Sequence, residues 1–323
     1  MRRKGFTLVE LLVVIAIIAL LMGILMPALA RVRQLAFRMT CGTNLSGIGK
    51  AMLIYSNDYD DELPKAGGRR NTWSNAIPAW DGLTRRMAFG TGTSTSNQPG
   101  TATVTSNFYL LVKYAEVTPK QFVCKGETDT REFKLSQVGT KASRSDFELI
   151  DAWDFGPWNS QEKPSEYCSY SYHHPFNQYA LTVSSSPTMA IAADRNPWIP
   201  TPESPESFAD FLPDEDEIPA YRNGTSDTAR IGNSKAHQGD GQNILFLDSH
   251  VSFEKRSYAG TENDNSYTRA TRNTFMSGSQ KDLKGELVQI YGTQDPLNRK
   301  DSWLIQESGD AAGGGGGGRA RGR

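Results

Sequence analysis

The chain opens with a long run of apolar residues. Between residues 6 and 30 the only charged side chain is Glu10, and the next charge is Arg31. As an α-helix, which rises about 1.5 Å per residue, residues 6–26 would cover roughly 30 Å, the thickness of the hydrocarbon core of a bilayer. We therefore predict a membrane-spanning helix at the start of the chain.

The helical pattern continues beyond Pro27, but apolar residues now recur three or four positions apart. The charges between Arg31 and Arg38 occupy the other side. The apolar positions are Leu29, Val32, Leu35, Ala36, Met39, Leu45, Ile48, Met52 and Tyr55. We expect one face of this segment to be covered by the rest of the protein. The helix should end within residues 56–61, where turn formers gather ahead of Pro64.

The remainder of the chain alternates short β signals with polar loops. A short apolar segment at residues 108–115 predicts a helix, and β-forming residues predict strands. The predicted strands are residues 167–172, 179–183, 188–194, 242–247 and 250–254. The last two should form a hairpin through a tight turn at Asp248-Ser249. The pattern as a whole predicts an α+β fold, with one long helix packed on an antiparallel β-rich head.

Charge and composition narrow the possible functions. The net charge is −1 over 323 residues, which gives no support to nucleic-acid binding. No P-loop, dinucleotide-binding fingerprint or nucleophile elbow is present, so we predict no enzyme. Three cysteines (Cys41, Cys124 and Cys168) are too few for a disulfide framework, although one pair could oxidise outside the cytoplasm.

Two features of the first ten residues go beyond a plain membrane anchor. Three cations, Arg2, Arg3 and Lys4, precede the apolar run and place that end in the cytoplasm. Glu10 lies inside the run, where an unpaired carboxylate costs on the order of 2–3 kcal/mol. We therefore expect Glu10 to have a partner.

The order of residues at the start resembles a known processing signal. Lys4-Gly5 is followed by Phe6-Thr7-Leu8-Val9-Glu10-Leu11-Leu12, which is similar to the type III signal of type IV prepilins and type II secretion pseudopilins. The match extends to Pro27, which lies where those proteins carry a helix-kinking proline. The resemblance implies that prepilin peptidase cuts between Gly5 and Phe6 and that the new amine of Phe6 is methylated.

The same resemblance implies a pilin-like structural subunit. Its partners would be copies of itself or other pseudopilins, and its place the cytoplasmic (inner) membrane, with the N-terminus cytoplasmic and the head outside. Residues 1–5 would be the leader, 6–28 the transmembrane half of the helix, 29–57 its amphipathic half, 58–308 the head and 309–323 a disordered Gly/Arg tail. Loss of the leader removes three cations and moves the net charge from −1 to −4.

Two alternatives fit the same apolar run. A secretory signal peptide could be cut after Ala28-Leu29-Ala30, although the run is longer than usual and contains a carboxylate. The helix could also tether an exoplasmic enzyme or a carbohydrate-binding module. Such a module would use tryptophans for stacking, and the candidates are Trp73, Trp80, Trp153, Trp158 and Trp198.

Three further segments resemble a group of large pseudopilin-like proteins abundant in planctomycete and related genomes. The first is Cys41-x-x-Asn44-Leu45, followed by Ile48-Gly49 and Tyr55. The second ends at Cys124, with Lys125 where that group usually has proline. The third places His237 before Asp248-Ser249-His250-Val251, with Ser249 where that group has glycine.

Several side chains are candidates for metal binding or acid–base chemistry. His237, Asp240, Asp248 and His250 could hold a metal or simply satisfy backbone groups around turns. His173-His174 could ligate a metal or be ordinary loop residues. Calcium is possible because major pseudopilins use it, and acidic residues at 57–62 and 214–217 offer oxygen ligands. For a disulfide we predict Cys124 with Cys168, since both lie in the head.

Overall fold

The predicted N-terminal helix is present in the computed structural model as one element, α1 (Leu8–Asp58). Its 51 residues give a length of roughly 75 Å. The structure describes residues 7–66, 72–73, 101–135, 148–152, 154–155, 164–199, 207–211, 227–271, 284–287 and 294–307. The helix ends within the predicted region, followed by a turn at residues 59–61.

The two halves of α1 have different surroundings. From Leu8 to Leu35 the large apolar side chains are exposed, and within the described part of the chain none of the most apolar stretch is buried. From Cys41 onward one face is buried at intervals of three or four residues, through Leu45, Ile48, Met52 and Tyr55. The expectation that the rest of the protein covers one face is therefore confirmed from Cys41 onward, but it is wrong for Leu29, Val32, Leu35 and Met39, which are exposed.

A five-stranded antiparallel sheet forms the centre of the head. Strands are numbered in chain order. The first two, β1 (Thr72–Trp73) and β2 (Thr101–Ala102), are short and pair in parallel as a separate two-stranded sheet. The sheet itself contains β3 (Tyr170–His173), β4 (Ala190–Asp194), β5 (Gln242–Phe246), β6 (Val251–Glu254) and β7 (Leu304–Ile305). Their order across the sheet is β6-β5-β4-β3-β7. The α+β architecture is confirmed.

The sheet buries both of its faces. Because successive strand residues point to opposite sides, Leu245 packs in the core shared with α1, while Ile244 and Phe246 pack in a second core. The helix comes very close to β5, since a Cβ added to Gly49 would lie 2.7 Å from Leu245 Cδ1. The glycine that weakens α1 as a helix thus allows its close packing on the sheet.

A second helix, α2 (Val104–Tyr114), packs beside α1. The sequence predicts this helix at residues 108–115, but it starts four residues earlier because Thr103 caps it. The Thr103 hydroxyl accepts from Ser106 N–H at 3.0 Å. A short helix, α3 (Asp227–Ile231), precedes β5.

One predicted strand is wrong. Residues 179–183 do not form a strand. They follow a 3-10 turn at Asn177–Tyr179 and make only an isolated β-bridge between Thr182 and Glu62. The segment bonds to the turn after α1 instead, where Leu63 N–H donates to the Leu181 carbonyl.

The β5–β6 hairpin is confirmed, with a different turn. Its loop has three residues, Leu247-Asp248-Ser249, and Ser249 N–H donates to the Phe246 carbonyl at 2.9 Å. Ser249 has φ +71°, the left-handed conformation that closes such loops and favours glycine. The two-residue turn is therefore corrected to a three-residue one, while positive φ at Ser249 is confirmed.

Replacing Ser249 by glycine should stabilise the protein. Relief of the left-handed conformation is worth about 1–2 kcal/mol, and the added freedom of the unfolded chain costs about 0.5–1 kcal/mol. We expect a net gain of up to about 1 kcal/mol, measured by chemical denaturation. Ser252→Gly, inside β6, is the matched control and should destabilise. A loss of stability in Ser249→Gly would show that the serine hydroxyl is needed.

Candidate functional site at the helix–head junction

A disulfide joins the long helix to the head. Cys41, at the start of the buried half of α1, is bonded to Cys124, with the two Cα atoms 5.3 Å apart. The predicted pairing of Cys124 with Cys168 is wrong, because Cys168 is a buried free thiol that donates to the Tyr170 carbonyl. The prediction assigned Cys41 to the helix and not to the head, whereas this half of α1 is part of the head's core.

Asn44, one turn after Cys41, forms a polar clamp at the same place. Its Nδ2 donates to the Val123 carbonyl at 3.2 Å and to the Tyr170 hydroxyl at 3.3 Å. The Tyr170 hydroxyl in turn lies 3.5 Å from the Cys41 carbonyl, to which it donates. Burial raises the pKa of Tyr170 well above its ordinary value, so the hydroxyl remains a donor.

His237 reaches the junction from the segment before β5. Its Nε2 lies 3.2 Å from Asp194 Oδ2, at the end of β4, and 3.8 Å from Cys124 Sγ. Asn243 on β5 holds the carboxylate: its backbone N–H donates to Asp194 Oδ2 at 2.7 Å and its side chain lies 3.0 Å from the same atom. The three sequence segments that carry Cys41, Cys124 and His237 therefore converge on one buried cluster.

A tight turn after Cys124 fits against His237. The N–H of Gly126 donates to Cys124 Sγ at 3.4 Å. A Cβ at Gly126 would lie 2.2 Å from the Ala236 carbonyl oxygen and 3.0 Å from His237 Nδ1. Glycine is thus required at this position by the close approach of the two segments.

Arg38 lies next to the cluster, where its backbone carbonyl accepts from Asn243 Nδ2 at 3.3 Å. Its guanidinium carbon lies 3.6 Å from the centre of the Phe253 ring, a cation–π contact, and its Nη2 is 3.6 Å from Asp240 Oδ2. Asp240 also pairs with Arg230 at 3.1 Å. Asp240 is therefore a surface ion-pair partner, and the structure does not bring it into the buried cluster with His237.

Asp248 lies at the other end of β5, in the hairpin loop, and His250 directly follows that loop. Asp248 Oδ1 accepts from the His250 backbone N–H at 3.1 Å and contacts its ring, and these interactions lower the pKa of Asp248. His250 also stacks on Phe246, with ring centres 4.3 Å apart. Both side chains are about half exposed. The four-residue grouping considered in the sequence is thus divided, and Asp248 with His250 stabilises a turn.

His173 and His174 are core residues. His173 ends β3 with its ring nitrogens close to the carbonyls of Asp301 and His174, and burial lowers its pKa to about 4. His174 stacks on Trp303, and burial lowers its pKa to about 3.

Of the acidic segments that could bind calcium, residues 214–217 lie outside the described residues. In residues 57–62, Glu62 pairs with Lys65.

The start of α1 pairs Glu10 within its own helix. Thr7 caps the helix, and its backbone N–H and hydroxyl donate to Glu10 Oε2 at 2.9 and 2.7 Å, while Glu10 N–H donates back to Thr7 Oγ1. This capping box supplies a partner for the carboxylate in a single chain.

The other residues of the predicted processing and assembly signal are Gly5, Phe6 and Pro27. Gly5 and Phe6 lie outside the described residues. Pro27 lies inside α1, where it lacks the N–H that would bond the Gly23 carbonyl.

Comparison with known proteins bears on this end of the chain. Residues 1–26 match the prokaryotic N-terminal methylation motif. No curated protein and no solved structure matches the chain. Among the described residues, α1 is long and apolar enough to cross a membrane. The motif and the helix together support a pilin-like or pseudopilin-like, membrane-anchored protein.

Sequence reasoning missed two members of the buried cluster. Asp194 was seen only as the last residue of a buried strand, although a charge ending the run Ala190–Asp194 is itself a signal of a polar site. Asn243 lies within a strand that reads as apolar. Each is recognisable only once β4 and β5 are known to be adjacent and covered by α1.

Peptide mapping without reductant should recover Cys41 joined to Cys124 and Cys168 as a free thiol. Cys41→Ser removes a bond that closes 83 positions of chain, so we expect the unfolding free energy of the head to fall by about 2–5 kcal/mol. Cys168→Ser is the matched control, since it keeps the bond and a donor to Tyr170. A peptide joining Cys124 to Cys168 would contradict the structure.

Proposed function

We propose that the protein is a structural subunit of a type II secretion or type IV pilus-like assembly, cleaved and N-methylated by prepilin peptidase. The observation that carries the proposal is the match of residues 1–26 to the methylation motif, on a helix whose apolar half is not covered by any of the described residues. The role is assembly, and we assign no catalytic residue.

The exposed half of α1 needs an apolar environment. Its large apolar side chains are exposed, and Leu20, Ile24 and Leu25 are each more than 60% exposed. An apolar surface of this size in water indicates a membrane or protein contact. In the membrane the surrounding lipid would cover it. In a filament the same surface would pack against the helices of neighbouring subunits.

The junction supports transmission of assembly forces to the head. The disulfide and the Asn44 clamp fix the second half of α1 to the segment at Val123 and Cys124 and to Tyr170 of β3. Movement of the helix out of the membrane would therefore carry the head with it.

The proposed orientation places the head outside the cytoplasm. Arg2, Arg3 and Lys4 favour a cytoplasmic N-terminus. The Cys41–Cys124 bond is typical of an oxidising compartment. The carbohydrate-binding alternative gains nothing from Trp198, which is buried in the second core. The side chains of the other four tryptophans considered for it lie outside those described.

Processing is tested by the intact mass of the mature protein. We expect a chain that begins at Phe6 and carries one methyl group on its amine. Gly5→Val should accumulate uncut precursor in the membrane, because a side chain at that position obstructs the peptidase. A mature chain beginning at Arg31, or an uncleaved one, would overturn the proposal.

Glu10 is proposed to bind the Phe6 amine of a neighbouring subunit in the filament. That amine exists only after cleavage. Its positive charge would offset the cost of burying the Glu10 carboxylate where helices pack away from water. The capping box uses Oε2, and we propose Oε1 as the acceptor for the amine. One contact would then link processing, register and assembly.

Glu10→Gln separates capping from charge pairing. Glutamine can complete a capping box as glutamate does, but it cannot neutralise an amine. We expect Glu10→Gln and Glu10→Val to be inserted and cleaved yet poorly incorporated, and Glu10→Asp, with its shorter reach, to be partly defective. The measurement is sheared filament material relative to the membrane pool.

The controls distinguish the two roles of the carboxylate. Thr7→Val removes the cap and keeps the charge, so it should assemble better than Glu10→Gln. Wild-type assembly by Glu10→Val would exclude a docking role. Wild-type assembly by Glu10→Gln together with failure of Thr7→Val would assign Glu10 to helix capping alone.

A further inference from the structure

The buried cluster at the helix–head junction has the composition of a metal site. Cys41, Cys124, Asp194 and His237 are all buried, and one ligand atom from each lies within 4.8 Å of the others. We propose that these four side chains bind Zn²⁺ in the dithiol form of the protein, before the Cys41–Cys124 bond is made. The inference does not depend on the assembly that the protein joins.

The spacing of the ligand atoms suits a tetrahedral ion. With Zn–S near 2.3 Å and Zn–N and Zn–O near 2.0–2.2 Å, neighbouring ligand atoms of a tetrahedral site are about 3.3–3.8 Å apart. His237 Nε2 is 3.2 Å from Asp194 Oδ2 and 3.8 Å from Cys124 Sγ. These separations lie within about 0.3 Å of two edges of the tetrahedron. The fourth atom, Cys41 Sγ, is bonded to Cys124 and would separate from it as a thiol.

The surroundings of the ligands fit a bound cation. Asp194 is fully buried and its Oδ1 has no hydrogen-bond partner among the described residues, an arrangement that is costly for a carboxylate without a compensating charge. The backbone N–H of Asn243 fixes Oδ2, as outer hydrogen bonds do for metal-binding carboxylates. The Gly126 N–H donates to Cys124 Sγ and would stabilise the negative charge of a thiolate there.

The proton and charge balance is simple. The chain is synthesised with both cysteines as thiols, and binding of Zn²⁺ releases their two protons to solvent. Two thiolates and one carboxylate then carry three negative charges against the two positive charges of the ion, and His237 binds as the neutral ring. No oxidant or reductant takes part in this step.

Metal binding and disulfide formation would compete for the same two sulfurs. Either one ties α1 at Cys41 to the turn at Cys124, so the ion would hold the helix against the head in a chain that has not yet been oxidised. Formation of the disulfide by thiol–disulfide exchange with an external disulfide oxidant, which takes the two electrons and leaves as a dithiol, would release Zn²⁺, because a disulfide sulfur is no longer a thiolate ligand.

Cobalt and zinc titrations test the proposal on the full-length protein, purified in detergent with a phosphine reductant. We expect one equivalent of Co²⁺ to bind with thiolate-to-cobalt absorption in the near ultraviolet, and Zn²⁺ to displace it. Cys124→Ser and His237→Gln should weaken Zn²⁺ binding at least about 10-fold. Cys168→Ser, which removes the cysteine outside the cluster, should bind as the wild type does. Circular dichroism of each variant reports whether it is folded.

A second measurement needs no ligand variant. In reduced Cys168→Ser protein the only thiols are Cys41 and Cys124. Saturating Zn²⁺ should slow the oxidation of these two thiols by diamide, and mass spectrometry measures the rate. An unchanged oxidation rate would overturn the proposal even if the ligand variants fail to fold. So would binding of less than one equivalent, or equal affinity in folded His237→Gln.

Discussion

The structure depends on the packing of the second half of α1 against β5. That contact brings Gly49 onto Leu245, gives the sheet its first core and places Cys41 beside Cys124. The packing is apolar along most of its length, and its polar contacts gather at one point, through Asn44 and the cluster of His237. The head therefore has no complete core without the helix, and the amphipathic half of the helix would expose an apolar face without the head.

One helix thus serves two environments that make opposite demands. Residues 8–30 are apolar on every side except at Glu10, as a segment in lipid must be, and from Cys41 onward the helix is apolar on the side that meets the sheet. The change occurs between Pro27 and Cys41, where charges appear and the buried face begins. Because helical hydrogen bonding continues across this boundary, the membrane segment and the head core are parts of one rigid element.

The sequence predicted what local pattern determines. The extent of α1, the buried strand β4 and the β5–β6 hairpin follow from periodicity and turn residues, and positive φ at Ser249 follows from its place between two strands. The disulfide partner of Cys124 did not follow, because the helix that carries Cys41 reaches the head only through tertiary packing. Asp194 and Asn243 were missed for the same reason, since strand pairing and the covering helix create their site. The false strand at residues 179–183 had suitable residues but a different neighbour.

The Cys41–Cys124 bond also changes the connectivity of the molecule. It links the anchor to the head at a point that bypasses every residue between positions 41 and 124. A protease that cuts the backbone once in the segment after α1 would therefore leave the head covalently attached to its membrane helix. The protein could be nicked there and still behave as one chain, and its two fragments would separate only after reduction.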